Sequence, residues 1–278
     1  MPANDDNFVL NDDKFVNNVV LNDFDDRCPN HDDSAAVTGV SCLCPTYGRF
    51  HLLAEAVESF LRQDYAGPKE LIILNDLVRQ RITFDHPEVR VINMPERFPN
   101  LGSKRNHVAA LARYPLLLTW GDDDIHLPHR ISRMVDALGE RPFLLEGWHY
   151  CSYGPQLLLN RFPTMGAHIV DKNFYFSLGG VPEKDTGEDA GFNDKARKAL
   201  GKIDHATENP AFWYRWSGTE RPHISAFHDA KGVRDPYEIF RLRVQSLLDS
   251  GEEPTGDLTL APAWRKDYEA EKHKAIVK

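Results

Sequence analysis

The chain has 278 residues, 41% of them hydrophobic, enough to bury the core of one large α/β domain. Its formal net charge of −9 excludes a chain-wide basic footprint of the kind that grips nucleic acid or an anionic membrane surface. No apolar run approaches the roughly 20 residues of a spanning helix and no basic-then-apolar leader opens the sequence, so a soluble, cytoplasmic protein is expected.

Residues 1–36 are rich in Asn and Asp, with apolar groups only in short pieces such as "FVL" and "FVNNVVL". They read as a solvated acidic arm, the alternative being a strand that pairs with the body or a partner chain. From Val37 the pattern becomes regular. "VTGVSCLC" is a buried strand, and "PTYGR" a turn with Pro45 and Gly48. "FHLLAEAVESFLRQDY" is a helix with Leu53, Val57, Phe60 and Leu61 on one face. "KELIILND" and "EVRVINM" are strands, with "NDLVRQRITF" read as a loop between them. "SKRNHVAALARY" is a helix for which Ser103 is a plausible N-cap. "PLLLTW" is a strand continuous in apolar residues, as doubly covered parallel strands are. "LPHRISRMVDALG" is a helix with Pro128 near its start and Gly139 at its end. "AGFNDKARKALG" reads as a further helix. The tail from "DPYEIFRLRVQSLLDS" begins as an amphipathic helix, and its charged end is expected to be solvated or to engage a partner chain. Strand and helix alternate at the spacing of a Rossmann-style, mostly parallel sheet.

Of the four cysteines, Cys42 and Cys44 lie in the first strand with no second pair at zinc spacing, and read as small core residues.

In open α/β sheets ligands sit beyond the carboxyl ends of the strands. Pro45–Arg49, Asn75–Asp76 and Asp122–Asp124 all fall just past such ends. Three consecutive carboxylates repel one another, and a hard cation such as Mg²⁺ or Mn²⁺ would relieve them while bridging to a nucleotide's phosphates. Capping of the following helix is the plainer reading of Asp122. No G-x-x-x-x-G-K-[ST] loop is present and no G-x-G-x-x-G follows the first strand, so phosphates would be held through metal and basic side chains. That is the logic of a nucleotide-sugar site.

"VSCLCPTYGRFHLLAEAVESFLRQDYAGPKELIILND", then "GSKRNHVAALA", "LLLTWGDDD" and "FYFSLGGVPEKDTGEDAGF" together resemble the family 2 glycosyltransferases of the GT-A fold, over roughly Val37 to Phe227. The resemblance implies a single GT-A domain at 37–228, with a nucleotide-binding half (37–125) and an acceptor-binding half (126–228), between the arm at 1–36 and a C-terminal helical extension at 229–278. It implies that Pro45, Thr46, Tyr47 and Arg49 line the nucleoside pocket, with Asn75 and Asp76 at the base or ribose. Lys104 or Arg105 would reach the base or phosphates. Asp124, ahead of Asp122, would be the metal ligand in the D-x-D motif, with Asp122 or Asp123 meeting the sugar or ribose. Asp189 would be the catalytic base and Glu188 would help position the acceptor, although both also suit the first turn of a helix. His223, ahead of His228, would complete the metal or phosphate site. Trp213, Tyr214 and Trp216 would stack on an acceptor sugar or pack in the core.

The sequence departs from the family pattern in Asn75, which stands where a first aspartate is usual, and in "FWYRW", where processive members have Q-x-x-R-W and membrane helices. The implied activity is inverting, metal-dependent transfer of one sugar from a nucleoside diphosphate sugar, UDP-linked by preference, to an acceptor hydroxyl on a glycan, lipid, protein, metabolite or modified DNA base. The rivals are a sugar-nucleotide-forming nucleotidyltransferase and a catalytically silent binding module. Terminal extensions leave room for a homo-oligomer.

Overall fold

A computed structural model describes residues 38–153, 156–161, 166–216 and 236–277. The arm at 1–36, His223 and His228 lie outside the described residues.

The first half winds β1 (Val40–Thr46), α1 (Phe50–Leu61), β2 (Lys69–Asn75), β3 (Gln80–Thr83), β4 (Val89–Asn93), α2 (Leu101–Ala110) and β5 (Leu116–Thr119). There follow β6 (Ile125–His126), α3 (Arg130–Leu138), β7 (Phe143–Glu146), the hairpin of β8 (His149–Tyr153) and β9 (Gln156–Asn160), and β10 (His168–Asp171). The remainder is α4 (Lys172–Ser177), α5 (Glu188–Leu200), β11 (His205–Ala206), β12 (Phe212–Trp216), α6 (Pro236–Ser250), β13 (Gly256–Thr259), α7 (Tyr268–Glu271) and β14 (Ile276–Val277).

The central sheet runs β11-β7-β10-β5-β1-β2-β4. β1 pairs in parallel with β2 and β5, and β2 with β4, while β10 is antiparallel to both its neighbours. The sheet is thus mixed and mostly parallel, flanked by helices, as the alternation of elements implied. Side chains alternate across a strand, so each central strand feeds two cores. Cys42, Cys44, Leu71, Ile73 and Leu118 pack with Leu53, Val57, Phe60 and Met134 of α1 and α3. Leu43, Ile72, Leu74 and Leu117 pack on the other face with Val108, Ala109, Phe192 and Ala196 of α2 and α5. Cys42 and Cys44 are fully buried, and desolvation holds both thiols above their ordinary pKa, so neither is a reactive thiolate.

A second sheet, β14-β9-β8-β12-β6, stands beside the first, and β13 pairs with β3. Two expectations change here. "QRIT" is a strand, not loop, and the C-terminal region is no separate helical appendage: β13 and β14 are woven into the body, and α6 packs on Leu77 through Phe240, Val244 and Leu248. The N-cap of α2 is Asn100, whose side chain accepts from Ser103 N at 2.8 Å, so Ser103 is the capped residue and not the cap. No helix among the described residues is long and apolar enough to cross a membrane.

Candidate active site

Parallel strands deliver their carboxyl ends to one rim. At that rim a cavity of about 660 Å³ is lined by Pro45, Tyr47, Arg49, Asp76, Lys104, Arg105, Asp122–Asp124, Glu188 and Asp189. Eleven of the expected positions therefore meet in one place, delivered by β1, β2, α2, β5 and α5.

The carboxylate triplet is built asymmetrically. Arg49, in the turn after β1, forks onto Asp122 through Nη2 at 2.5 Å and Nε at 3.0 Å, and reaches Asp123 through Nη1 at 2.5 Å. Such planar, bidentate pairing suits arginine and not lysine. Burial works against the Arg49 charge, but Asp122 and Asp123 outweigh it and hold the guanidinium firmly protonated. The Asp122 carboxyl is raised, first by burial and against the pull of Arg49. The turn is fixed by Gly48, which has φ +62°; a Cβ there would lie 2.4 Å from Val244 Cγ1 of α6.

Asp124 differs. Among the described residues it forms no salt bridge, and its Oδ1 accepts from Arg215 N at 3.0 Å. Burial, with Asp123 beside it, pushes its carboxyl up to about 8. None of the three caps α3, whose N-cap position is His129 with no side-chain bond. No group of three His, Cys, Asp or Glu that could cage a metal occurs among the described residues. Nucleotide-borne Mg²⁺ does not need one: it takes one or two carboxylates and completes its shell with phosphate and water. A buried carboxylate with no salt bridge among the described residues, on the wall of a cavity lined by further carboxylates, fits such a cation.

Some expectations are corrected. Thr46 and Asn75 stand behind the wall and do not line it. The Asn75 amide donates to Gln80 O at 2.8 Å and Asn93 Oδ1 at 3.0 Å, and its Oδ1 accepts from Leu77 N at 3.1 Å, so it holds the turn after β2. The Thr46 hydroxyl bonds Asp122 and its carbonyl accepts from Lys104 Nζ at 2.6 Å. Lys104 is tied down as well, 2.5 Å from Asp76 Oδ1, while Phe98 N donates to Asp76 Oδ2 at 3.1 Å. Burial lowers the Lys104 pKa, and Asp76 offsets part of that. Its ammonium thus props Asp76 and does not reach across the cavity. Arg105 pairs with Glu188 at 3.2 Å. Glu188 is raised by burial first, with Arg105 opposing. Trp213 is core, donating to Ser152 Oγ at 2.6 Å, whereas Tyr214 lines the cavity.

The sequence reading missed several wall residues. Arg97 lies 4.3 Å from the Tyr47 ring centre, and Phe240 of α6 lies 6.2 Å from the same ring. His149, Cys151, Asn160 and Phe212 come from the second sheet. Phe240 read as one more apolar residue of an amphipathic stripe; nothing in the local pattern distinguishes a residue facing a cavity from one facing a core.

Residues 41–162 match the family model described as Glycosyl transferase family 2. Among solved structures, the crystal structure of S. aureus TarS 1-349 aligns over 64% of this chain and 60% of its own, with 16% identity and a TM-score of 0.51. The same fragment in complex with UDP-GlcNAc gives 17% identity, 76% and 67% coverage and a TM-score of 0.55; with UDP the values are 15%, 76% and 73%, and 0.51. The chain thus spans 60% of the first of these fragments. At such identities the likeness is one of fold, here GT-A. No curated protein sequence matches the chain.

Proposed function

We propose that the chain, which matches the family 2 glycosyltransferase model through residues 41–162, moves one sugar from a uridine diphosphate sugar to an acceptor hydroxyl with inversion at the anomeric carbon. The observation that carries the reading is one cavity lined together by Tyr47, Asp76, the Asp122–Asp124 triplet and Asp189. The UDP and UDP-GlcNAc complexes of the similar TarS fragment support a uridine donor.

In this reading Tyr47, with Arg97 over its face and Phe240 beside it, flanks the base. Asp76, held by Lys104 and Phe98 N, keeps lone pairs to accept a donor hydrogen from base or ribose. Asp122 and Asp123, clasped by Arg49, accept hydroxyl hydrogens from ribose or sugar. A divalent cation, Mg²⁺ or Mn²⁺, held by Asp124 with Asp122 close by, would supply positive charge to the diphosphate when bound. Asp189 takes the acceptor's proton as its oxygen bonds the anomeric carbon and the bond from that carbon to the diphosphate breaks. Glu188, anchored by Arg105, orients the acceptor.

Calorimetric titration with UDP tests this. UDP is expected to bind about tenfold more tightly with MnCl₂ than with EDTA, a difference of roughly 1.4 kcal/mol. Equal affinities would remove the cation from the reading, and no binding in either buffer would remove the uridine nucleotide.

A further inference from the structure

Glu55 lies on α1, one layer behind the cavity, and is 1% exposed. A buried carboxylate is costly unless every lone pair is used. Here two come from far along the chain: Tyr268 Oη donates to Oε1 at 2.8 Å, and Arg265 donates through N to Oε1 at 3.0 Å and through Nε to Oε2 at 2.8 Å. Arg215 Nη1 donates to Oε2 from β12. The same Arg215 gives its backbone N–H to Asp124 Oδ1 and its Nε to the Asp123 carbonyl. A continuous chain of charge-assisted bonds therefore runs from the C-terminal segment, through Glu55 and Arg215, to two members of the triplet. The segment has a second anchor that makes no bond to the Glu55 carboxylate: Trp264 Nε1 donates to Ser59 Oγ at 2.9 Å, and that hydroxyl donates to the Glu55 backbone carbonyl at 2.9 Å.

We propose that Glu55 is a positioning residue for the carboxylate triplet, and that the segment bearing Arg265 and Tyr268 is, through it, part of the donor site. The proposal rests on the reading of the cavity as a site for a nucleotide and its cation. Glu55 balances Arg215 on the side away from the cavity. With Glu55 uncharged, Arg215 keeps Asp124 as its acidic neighbour, and both groups act on it electrostatically. Its guanidinium would then turn toward the carboxylate that the cation needs. Neutralising Glu55 should thus cost cation-dependent nucleotide affinity and leave the cation-independent part alone, which a general loss of stability would not do.

The test is UDP titration of the full chain in MnCl₂ and in EDTA, with melting temperatures alongside. Glu55→Gln is expected to weaken UDP binding in MnCl₂ by about tenfold or more, the usual scale for groups that orient a metal's ligands. Its affinity in EDTA should stay within about twofold of wild type, under roughly 0.5 kcal/mol. Ser59→Ala, which loosens the other anchor, should stay within about twofold in both buffers. Arg265→Ala and Tyr268→Phe should show the cation-dependent loss in milder form, and they decide the matter if Glu55→Gln does not fold. Wild type and Glu55→Gln gaining equally from MnCl₂ would overturn the proposal while the donor reading stands. A wild type that gains nothing from MnCl₂ would overturn both, and the wild-type arm alone reveals it.

Discussion

Arg49 resolves the charge problem posed by Asp122 and Asp123. Two adjacent carboxylates tolerate one another because a single guanidinium presents separate N–H groups to each. The third carboxylate, Asp124, forms no salt bridge among the described residues, which is why it is proposed for the cation. Asp189, which also lines the cavity, sits in the first turn of α5, where a negative charge favours the helix. Asp189→Asn separates these roles. Helix stability should fall by only about 0.5 kcal/mol, and UDP affinity should stay within about threefold. Sugar transfer, if the carboxylate is the base, should drop by about a hundredfold or more. Transfer near the wild-type rate in this variant would take Asp189 out of the mechanism. The triplet and the Glu188–Asp189 pair were legible in the sequence because each is a short local motif at an element boundary. Glu55, Arg215 and Arg265 were not, since nothing in the chain between positions 55, 215 and 265 marks them as neighbours.

Among elements, α2 shows how tightly the loop before α5 is fitted to its neighbours. Gly102, in its first turn, donates its N–H to Lys184 O at 3.0 Å, and a Cβ there would lie 2.0 Å from Pro182 O. The loop it touches leads directly into α5. Gly102→Ala gains intrinsic helix propensity of up to about 1 kcal/mol, but the backbone clash of an overpacked contact costs about 1–3 kcal/mol. The clash should win. Urea unfolding is expected to show net destabilisation, and a more stable variant would mean that the loop yields freely. The long apolar strands β1, β2 and β5 and helices α1, α3 and α5 could be read directly, because burial on both faces or on one stripe leaves a strong pattern. β3 could not. Its residues alternate buried and exposed over only four positions, and its partner β13 lies far down the chain. Short ribbons of this kind are specified by their partner and not by their own composition.

At the scale of the whole molecule, buried titratable groups set the response to pH. His168 of β10 is 3% exposed, with Phe143 and Phe192 against its ring. Burial, reinforced by Arg105 and Arg130, pushes it down to about 3 from an ordinary value of 6.5. The folded pKa is the lower one, so between these limits the unfolded chain binds more protons at this site, and the contribution of His168 to stability rises with pH until about 6.5 and then levels, opposed by the raised carboxyl of Asp124. Unfolding free energies of wild type and His168→Gln taken from pH 5 to 8 should isolate this contribution, the slope below pH 6.5 being lower in the variant by up to about 1.4 kcal/mol per pH unit. An unchanged slope would mean that His168 is protonated in the fold. The weave of the C-terminal region has another consequence, which concerns the making of the protein. Translation proceeds from the N-terminus, so β1, β2, β4 and β5 leave the ribosome well before residues 256–277 exist. A nascent chain that has emerged only as far as β12 carries all three aspartates and Glu55. It lacks α6 beside Tyr47, the strand that pairs with β3, and the Arg265 and Tyr268 groups that complete the bonds of Glu55. The cavity therefore matures late in synthesis, and a chain released early would carry its acidic residues without the wall and the bonds that complete their surroundings.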